Sequence, residues 1–284
     1  MAEVKLLREG MSLVNSGPLY ATIMASRERC PLSEAAMEGG QYALEILEQL
    51  ATFLPIIKRK SLTVKSEDKR YPEVVNEMIS ASQAVNDRDF TPMSAVAGAT
   101  ADMVADYLLK TGATKIVVNN GGDISIRLAE GEKVKVGLRL SLADAQPRYS
   151  ITVEKDCGVC TSGFGGRSFT LGIADAVTVL ATRASLADAA STYIGNKTSI
   201  DSLNIEREYA ERIYPDTDIP GEKVTTFVGV LTDDEVQEAL EDGKKAAYEL
   251  INKRVIQGAL IAVKGKMLPL GFFAGRVKLV ESKF

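Results

Sequence analysis

Cysteines, hydroxyls and glycines cluster in one short segment of this sequence, which reads Cys-Gly-Val-Cys-Thr-Ser-Gly from Cys157 to Gly163. Such a loop can bind an anion through Thr161, Ser162 and main-chain N–H groups, or it can hold a reactive thiol at Cys160. A Cys-x-x-Cys spacing without a second pair is only a weak redox or metal signal. Because a free cysteine is commonly a small buried apolar residue, both interpretations of Cys160 stay open.

A carboxylate and a hydroxyl share one face of a predicted helix further along the chain. Asp188 and Thr192 are four residues apart in Ala-Asp-Ala-Ala-Ser-Thr, so their side chains project from the same side of a helix. One carboxylate and one hydroxyl can hold Mg²⁺ if main-chain carbonyls, water and phosphate complete the octahedron. The alternative is that Asp188 caps the helix and Thr192 bonds back to a carbonyl.

A third candidate is the turn after a Val-rich strand, Asn119-Asn120-Gly121-Gly122-Asp123. Paired glycines let a backbone come close to a ligand and present N–H groups to it. The same residues also predict a plain tight turn between two strands, and that alternative stays open.

The residues that are missing exclude several classes of chemistry. The 284 residues include no histidine, so a Ser-His-Asp triad, a His-ligated zinc site and a His general base are all ruled out. Three cysteines, without a secretion signal at the N-terminus, argue against a disulfide framework. A net charge of −4 argues against a nucleic-acid partner, and no apolar run approaches the roughly 20 residues of a membrane span. We therefore expect a cytoplasmic protein.

Interleaved helices and strands must position these motifs, which predicts an α/β or α+β fold. Expected strands cover 19–25, 115–119, 123–128, 133–140, 148–154, 176–181 and 258–263, the last closing the chain before a short tail. Expected helices begin at a Ser33 N-cap and stop at Pro55, start again at Pro72, span 92–110, run from Ser185 to about Tyr193, and follow a Thr232–Glu235 capping box. The acidic stretch 201–243 suggests a long surface loop before that box. Without a Pro/Gly/Ser-rich linker, we expect a single domain over 1–284.

The order of these motifs resembles the ApbE-like superfamily, whose best known members are FAD:protein FMN transferases. The sequence is most similar to uncharacterised protein family 0280, treated as a branch of that group. The resemblance runs from about residue 17 to 265 and rests on five segments in order: Pro92–Ala99, Asn120–Asp123, Cys160–Gly163, Gly172–Ala176 and Ala187–Ala189. It implies an ApbE-like mixed sheet packed with helices.

The resemblance also implies a site. In the transferases the counterparts of Asp188 and Thr192 hold Mg²⁺ with a main-chain carbonyl, here near Val96, and the metal meets the pyrophosphate of FAD. Residues expected to line the flavin nucleotide site are Gly98, Asn120, Gly121, Gly122, Asp123, Thr161, Ser162 and Gly163. The transferred FMN goes to a Thr or Ser of a target protein, with release of AMP.

The sequence departs from the transferase pattern at two places. Where the transferases have His-Ile-Ile-Asp-Pro, this chain reads Ser-Phe-Thr-Leu-Gly from Ser168 to Gly172. Ala97 stands where they have a lysine before the helix glycine. These changes remove residues that the resemblance associates with flavin transfer, whereas a nucleotide pocket is compatible with them.

Three hypotheses remain open. The first is an ApbE-like transferase or nucleotide-pocket protein that uses Mg²⁺ at Asp188 and Thr192. The second is a sulfur carrier or transferase in which Cys160, with a lowered pKa, passes a persulfide and Cys157 serves as resolving thiol. The third is a non-catalytic binding module. Expected partners are a nucleotide-like small molecule or a protein, and a homo-oligomer is left open.

Overall fold

The computed structural model describes residues 3–141 and 144–280, in which helices alternate with mostly antiparallel strands. The strands are β1 (Glu3–Arg8), β2 (Met11–Ser16), β3 (Leu19–Arg27), β4 (Cys30–Pro31), β5 (Lys115–Asn120), β6 (Asp123–Leu128), β7 (Val134–Leu138), β8 (Tyr149–Val153), β9 (Cys157–Ser162), β10 (Ala176–Ala181), β11 (Ile205–Tyr209), β12 (Lys223–Val228), β13 (Gly258–Val263), β14 (Lys266–Gly271) and β15 (Lys278–Leu279). The helices are α1 (Ser33–Thr52), α2 (Leu54–Ile57), α3 (Glu73–Val85), α4 (Val96–Leu109), α5 (Ala184–Lys197), α6 (Ala210–Ile213) and α7 (Asp233–Asn252). The predicted mixed α/β class is confirmed.

The chain divides into two compact units. The first comprises Met1–Val134, Val153–Cys160 and Ala181–Asp188, and the second comprises Lys135–Thr152, Thr161–Leu180 and Ala189–Phe284. Strand β9 and helix α5 each contribute residues to both. The single domain expected from the sequence stays a prediction.

In the first unit, helices α1, α3 and α4 cover an antiparallel sheet. Its strand order is β1-β2-β3-β5-β6-β9, and β4 pairs with β3. Alternate residues of the strands and the apolar stripes of the helices meet in one core, because strand side chains alternate between faces and helix side chains recur every three to four residues. Its largest fully buried members include Ile23, Ile46, Met78, Ile79, Leu108 and Ile116.

The second unit contains β10, β13 and β14, which form antiparallel pairs in that order. Helix α7 packs on β13 with its apolar stripe, which includes Val236, Leu240 and Leu250. Strands β11 and β12 form a separate two-stranded sheet, and β15, β8 and β7 form a three-stranded one.

Several sequence predictions hold to the residue. Strands β6, β10 and β13 have the predicted bounds, and Thr232 and Glu235 exchange both hydrogen bonds of a capping box at the start of α7. None of the helices in the described part of the chain combines the length and the hydrophobicity of a membrane-spanning segment.

Four local predictions are wrong. Ser33 is not the N-cap of α1 but its first helical residue, and its hydroxyl instead accepts the Gly10 N–H at 2.9 Å. The first helix ends at Thr52, and Pro55 lies inside the short helix α2, since proline is tolerated in a first turn. The acidic stretch 201–243 holds β11, α6 and β12 rather than a long loop. After β13 the chain continues as the hairpin partner β14 instead of a tail.

Candidate functional site

The centre of the candidate site in the first unit is the contact between the start of α4 and the first turns of α5. Gly98 makes the contact close, because a Cβ there would lie 2.2 Å from the carbonyl oxygen of Ala184 and 2.8 Å from the Cβ of Asp188. Only glycine permits such an approach. The missing side chain of Gly98 therefore allows the backbone at the start of α5 to approach α4 at this position.

Asp188 uses this contact to place its carboxylate at the N-terminus of α4. Its Oδ2 accepts the main-chain N–H of Gly98 at 2.9 Å, and Ala97 donates its N–H to the same carboxylate. N–H groups in the first turn of a helix have no partner within the helix and attract an anion. Asp188 therefore does not cap its own helix α5, which was the alternative interpretation. Its carboxylate instead caps the N-terminus of α4.

The Asp188 carboxylate is nonetheless in an unfavourable place for a negative charge. The side chain is 8% exposed. Burial raises the pKa of Asp188 well above its ordinary value, and the nearby Asp123 carboxylate raises it further, although the two main-chain N–H groups oppose the shift. A carboxyl group in this situation gains from a positive partner.

The Gly121–Gly122 turn is the tight hairpin turn that the sequence predicted. Asn120 and Asp123 pair across it at the ends of β5 and β6, and both glycines have positive φ, 68° and 116°. The Gly122 N–H donates to Asn119 Oδ1 at 2.9 Å, so this donor is used within the turn and is not presented to a ligand.

Asn120 points from this turn towards α4. Its Nδ2 donates to the Ala97 carbonyl at 3.3 Å, and the side chain is 5% exposed. Its Oδ1 is buried and has no hydrogen-bond partner among the residues that the structure describes. Val96, the expected source of a carbonyl ligand, opens the α-helix, and its carbonyl accepts the Thr100 hydroxyl at 2.8 Å.

Cys160 packs beneath this contact. It has no exposed surface, and its thiol donates to the Ala184 carbonyl, with 3.2 Å between sulfur and oxygen. Burial raises the pKa of the Cys160 thiol well above its ordinary value, and burial also raises that of Cys157 to about 12. The prediction of a lowered pKa for Cys160 is wrong. The thiol is shielded from water, and the nearby carboxylates of Asp123, Asp188 and Asp102 disfavour a thiolate.

The two cysteines are also placed wrongly for a resolving pair. Both lie in β9, three positions apart, so their side chains project from opposite faces of the sheet. Their Cα atoms are roughly 10 Å apart at about 3.3 Å per strand residue, and a disulfide needs less than about 7 Å. The sulfur-carrier hypothesis gains no support from this geometry.

A buried ion-pair network that the sequence analysis missed holds α4 and α5 in place. Asp102 of α4 is fully buried and accepts hydrogen bonds from the Ser185 N–H at 2.9 Å and from Arg127 at 3.0 Å. Arg183, directly before α5, pairs with Asp106 at 2.7 Å and with Glu77 at 3.1 Å. The sequence does carry a signal for this network. Asp102 and Asp106 lie four residues apart on an otherwise apolar helix, and Arg127 lies in an apolar strand.

The second unit contains the hydroxyl and glycine residues that follow Cys160, which are Thr161, Ser162 and Gly163. Thr161 and Thr178 hydroxyls are 2.9 Å apart, and Ser162 is buried. A Cβ at Gly163 would lie 2.5 Å from the Asp175 carbonyl oxygen, so the chain passes here in close contact with the Gly172–Ala176 motif. Asp175 accepts the main-chain N–H of Lys264, which ties that motif to the turn after β13.

Thr192 follows Asp188 by four residues within α5, as the sequence predicted. The sequence predicts one cleft lined by residues that belong to both units: the Gly121–Gly122 turn, Thr161, Ser162, Asp188 and Thr192. This convergence stays a prediction. Among the described residues no group of three or more Cys, Asp or Glu side chains forms a metal cage. A site with one carboxylate, one hydroxyl and a carbonyl is smaller than such a cage.

The fold is that of ApbE-like proteins. The apo structure of the flavinyl transferase ApbE from Pseudomonas stutzeri superposes with a TM-score of 0.53 at 16% identity, covering 94% of each chain. The flavin transferase ApbE from Vibrio cholerae gives a TM-score of 0.50 at 13% identity, covering 97% of this chain and all of that one. At these identities the likeness concerns the fold.

Sequence similarity defines the family more narrowly. The chain belongs to the family described as AbpE bacteria, whose model matches residues 5–269. Relatives include UPF0280 proteins of Methanosarcina barkeri, 38% identical over 49% of this chain and 54% of the relative, and Methanopyrus kandleri, 45% identical over 46% and 51%. One from Methanothrix thermoacetophila is 31% identical over 64% of this chain and 75% of its own length. The aligned part spans about half the length of the first two.

Proposed function

We propose that this protein binds a flavin dinucleotide together with Mg²⁺ and acts as a divergent ApbE-like transferase. The observation that carries the proposal is the buried Asp188 carboxylate, held by main-chain N–H groups at the start of α4 in the negative field of Asp123. Two of the structural relatives are flavin transferases by name.

The donor set suits a hard cation. Mg²⁺ prefers oxygen ligands and commonly uses one or two carboxylates together with the phosphates of its substrate. Asp188, the Thr192 hydroxyl and a main-chain oxygen near Val96 would supply the protein ligands. When bound, the metal would neutralise charge on a pyrophosphate. Because these ligands are few, we expect weak binding of Mg²⁺ alone and stronger binding with a phosphate ligand.

The chain's own residues would orient the nucleotide. Asp188 would hold the cation close to α4, because its carboxylate accepts the Gly98 N–H at 2.9 Å. Thr161 and Ser162 would offer hydroxyls to the nucleotide, and Gly163 would offer its main-chain N–H. The acceptor of a transferred group would be a Ser or Thr hydroxyl of a partner protein.

The replaced segment Ser168–Gly172 and Ala97 make this transferase divergent. The chain lacks histidine altogether, so a proton leaving an acceptor hydroxyl would pass to a different base, and a carboxylate is the candidate at this site. Asp123, which is close enough to raise the pKa of Asp188, would remain for this role, because Asp188 would hold the cation.

Calorimetric titration of FAD, with Mg²⁺ and with EDTA, tests the binding part of the proposal. We expect Mg²⁺ to strengthen FAD binding to the wild type at least tenfold and to have no effect on Asp188→Asn. Asp201→Asn, a change at an exposed carboxylate of the second unit, serves as the matched control and should behave as the wild type. Equal responses of Asp188→Asn and the wild type would remove Asp188 from the site.

Release of AMP from FAD in the presence of Mg²⁺ and Ser- or Thr-containing peptides tests the transfer part. AMP release that is lost in Asp188→Asn supports a transferase. Tight Mg²⁺-dependent FAD binding without AMP release would overturn the transferase and leave a binding module.

A further inference from the structure

Asn120 carries a buried hydrogen-bond acceptor that the fold does not satisfy. The residue ends β5 and is 5% exposed, and its Oδ1 has no partner within the described part of the chain. Buried polar atoms in native proteins are almost always hydrogen-bonded, so an exception calls for a functional explanation.

The orientation of the amide follows from its other contact. Nδ2 lies 3.3 Å from the Ala97 carbonyl oxygen and donates to it. A flipped amide would bring two oxygens together there, which would be repulsive. Oδ1 is therefore the atom that faces away from the Ala97 carbonyl and lacks a donor.

Asn120 and Asp188 hold the same turn of the same helix. Ala97 donates its N–H to the Asp188 carboxylate and accepts from the Asn120 amide through its carbonyl, and Gly98 donates to Asp188 at 2.9 Å. Asp123 pairs with Asn120 across the hairpin. The Asn120 amide from β5 and the Asp188 carboxylate from α5 thus both contact Ala97 at the start of α4.

We propose that Asn120, through Oδ1, is a further ligand of the divalent cation that Asp188 binds. An amide oxygen is a neutral hard donor of the kind that Mg²⁺ and Mn²⁺ accept. The cation would satisfy the orphaned oxygen, while the contact of Nδ2 with Ala97 fixes its direction. This proposal rests on the proposed function, because it assigns a second ligand to the same cation.

Titration of the full chain with Mn²⁺ alone, followed by the loss of the electron paramagnetic resonance signal of free Mn²⁺, tests it without any turnover. We expect Asn120→Ala to raise the Kd for Mn²⁺ at least tenfold. Asn120→Asp keeps an oxygen for the cation and adds a charge, but it replaces the donor to the Ala97 carbonyl with a second oxygen, so we expect its Kd to stay within tenfold of the wild type. Asn15→Ala, at an exposed asparagine of the same sheet, should leave the Kd unchanged.

The outcomes separate the two proposals. If Asp188→Asn loses Mn²⁺ while Asn120→Ala binds within twofold of the wild type, Asn120 is not a ligand and the Asp188 site stands. If Asn120→Ala weakens only FAD binding and not Mn²⁺ binding, the amide contacts the nucleotide and this proposal fails. If Asp188→Asn also binds Mn²⁺ as the wild type does, the proposed function fails with it. Asn120→Asp provides the comparison of Mn²⁺ binding if the alanine variant does not fold.

Discussion

Replacing Asp102 with asparagine should destabilise the first unit more than the same change at Asp106, the partly exposed carboxylate of the same ion-pair network. Asp102 has no exposed surface and accepts from the Ser125 hydroxyl at 2.7 Å, the Ser185 N–H at 2.9 Å and Arg127 at 3.0 Å. Arg127 is only 4% exposed. Asparagine keeps the shape but removes the charge that balances a buried guanidinium.

The size of the effect follows from this burial. Breaking a buried ion pair by removing one partner costs about 3–5 kcal/mol, because the other charge is left uncompensated. Arg127 keeps Asp106 at 2.8 Å, so we expect the lower end, about 3 kcal/mol in the free energy of unfolding. Asp106 is itself 33% exposed, and solvent screening limits Asp106→Asn to about 1 kcal/mol.

Urea unfolding followed by circular dichroism measures both variants against the wild type. The reasoning predicts a larger loss for Asp102→Asn than for Asp106→Asn. A loss below about 1 kcal/mol for Asp102→Asn, or equal losses for the two, would refute the view that this pair is buried and fixes α5 on α4.

Four further predictions concern the packing at Gly98, two properties of the thiols, and the capping of α7. Gly98→Ala should cost about 1–3 kcal/mol in urea unfolding, because its Cβ would lie 2.2 Å from a carbonyl oxygen at the start of α5. In the folded protein at pH 7–9 iodoacetamide should modify the exposed Cys30 and spare Cys157 and Cys160; mass mapping that finds either buried thiol modified as fast as Cys30 would contradict this. With a pKa near 12 against an ordinary 9.0, Cys157 stabilises the fold fully below pH 9, and thermal melts should show that contribution lost as the pH rises towards 12. Thr232→Ala should cost about 1 kcal/mol on thermal unfolding, since it removes the capping box of α7, and an unchanged melting temperature would contradict this.

Local patterns predicted the elements whose signals lie within a few residues. The capping box of α7 and the bounds of β6, β10 and β13 depend on neighbouring side chains and on alternation, and both can be read along the chain. Ser33 shows the limit of such reasoning. Its hydroxyl is used by the Gly10 N–H, 23 residues away in sequence, and no local pattern records that partner.

The candidate site shows the same division. The spacing of Asp188 and Thr192 on a helix could be predicted, whereas the acceptance of N–H groups from α4 could not, because it depends on a contact 90 residues distant in sequence. The Cys160 motif suggested an activated thiol since glycines and hydroxyls follow it. Cys160 is instead buried against Ala184, and burial disfavours the thiolate. This burial depends on how the sheet packs and cannot be read from the local sequence.

Anomalous scattering from crystals grown with Mn²⁺ and FAD tests the central claim most directly. The account predicts an anomalous peak about 2.0–2.2 Å from an Asp188 carboxylate oxygen, in contact with the pyrophosphate of the nucleotide. A nucleotide bound without a peak at Asp188, or a peak held by other carboxylates, would contradict the assignment of this residue as the metal ligand.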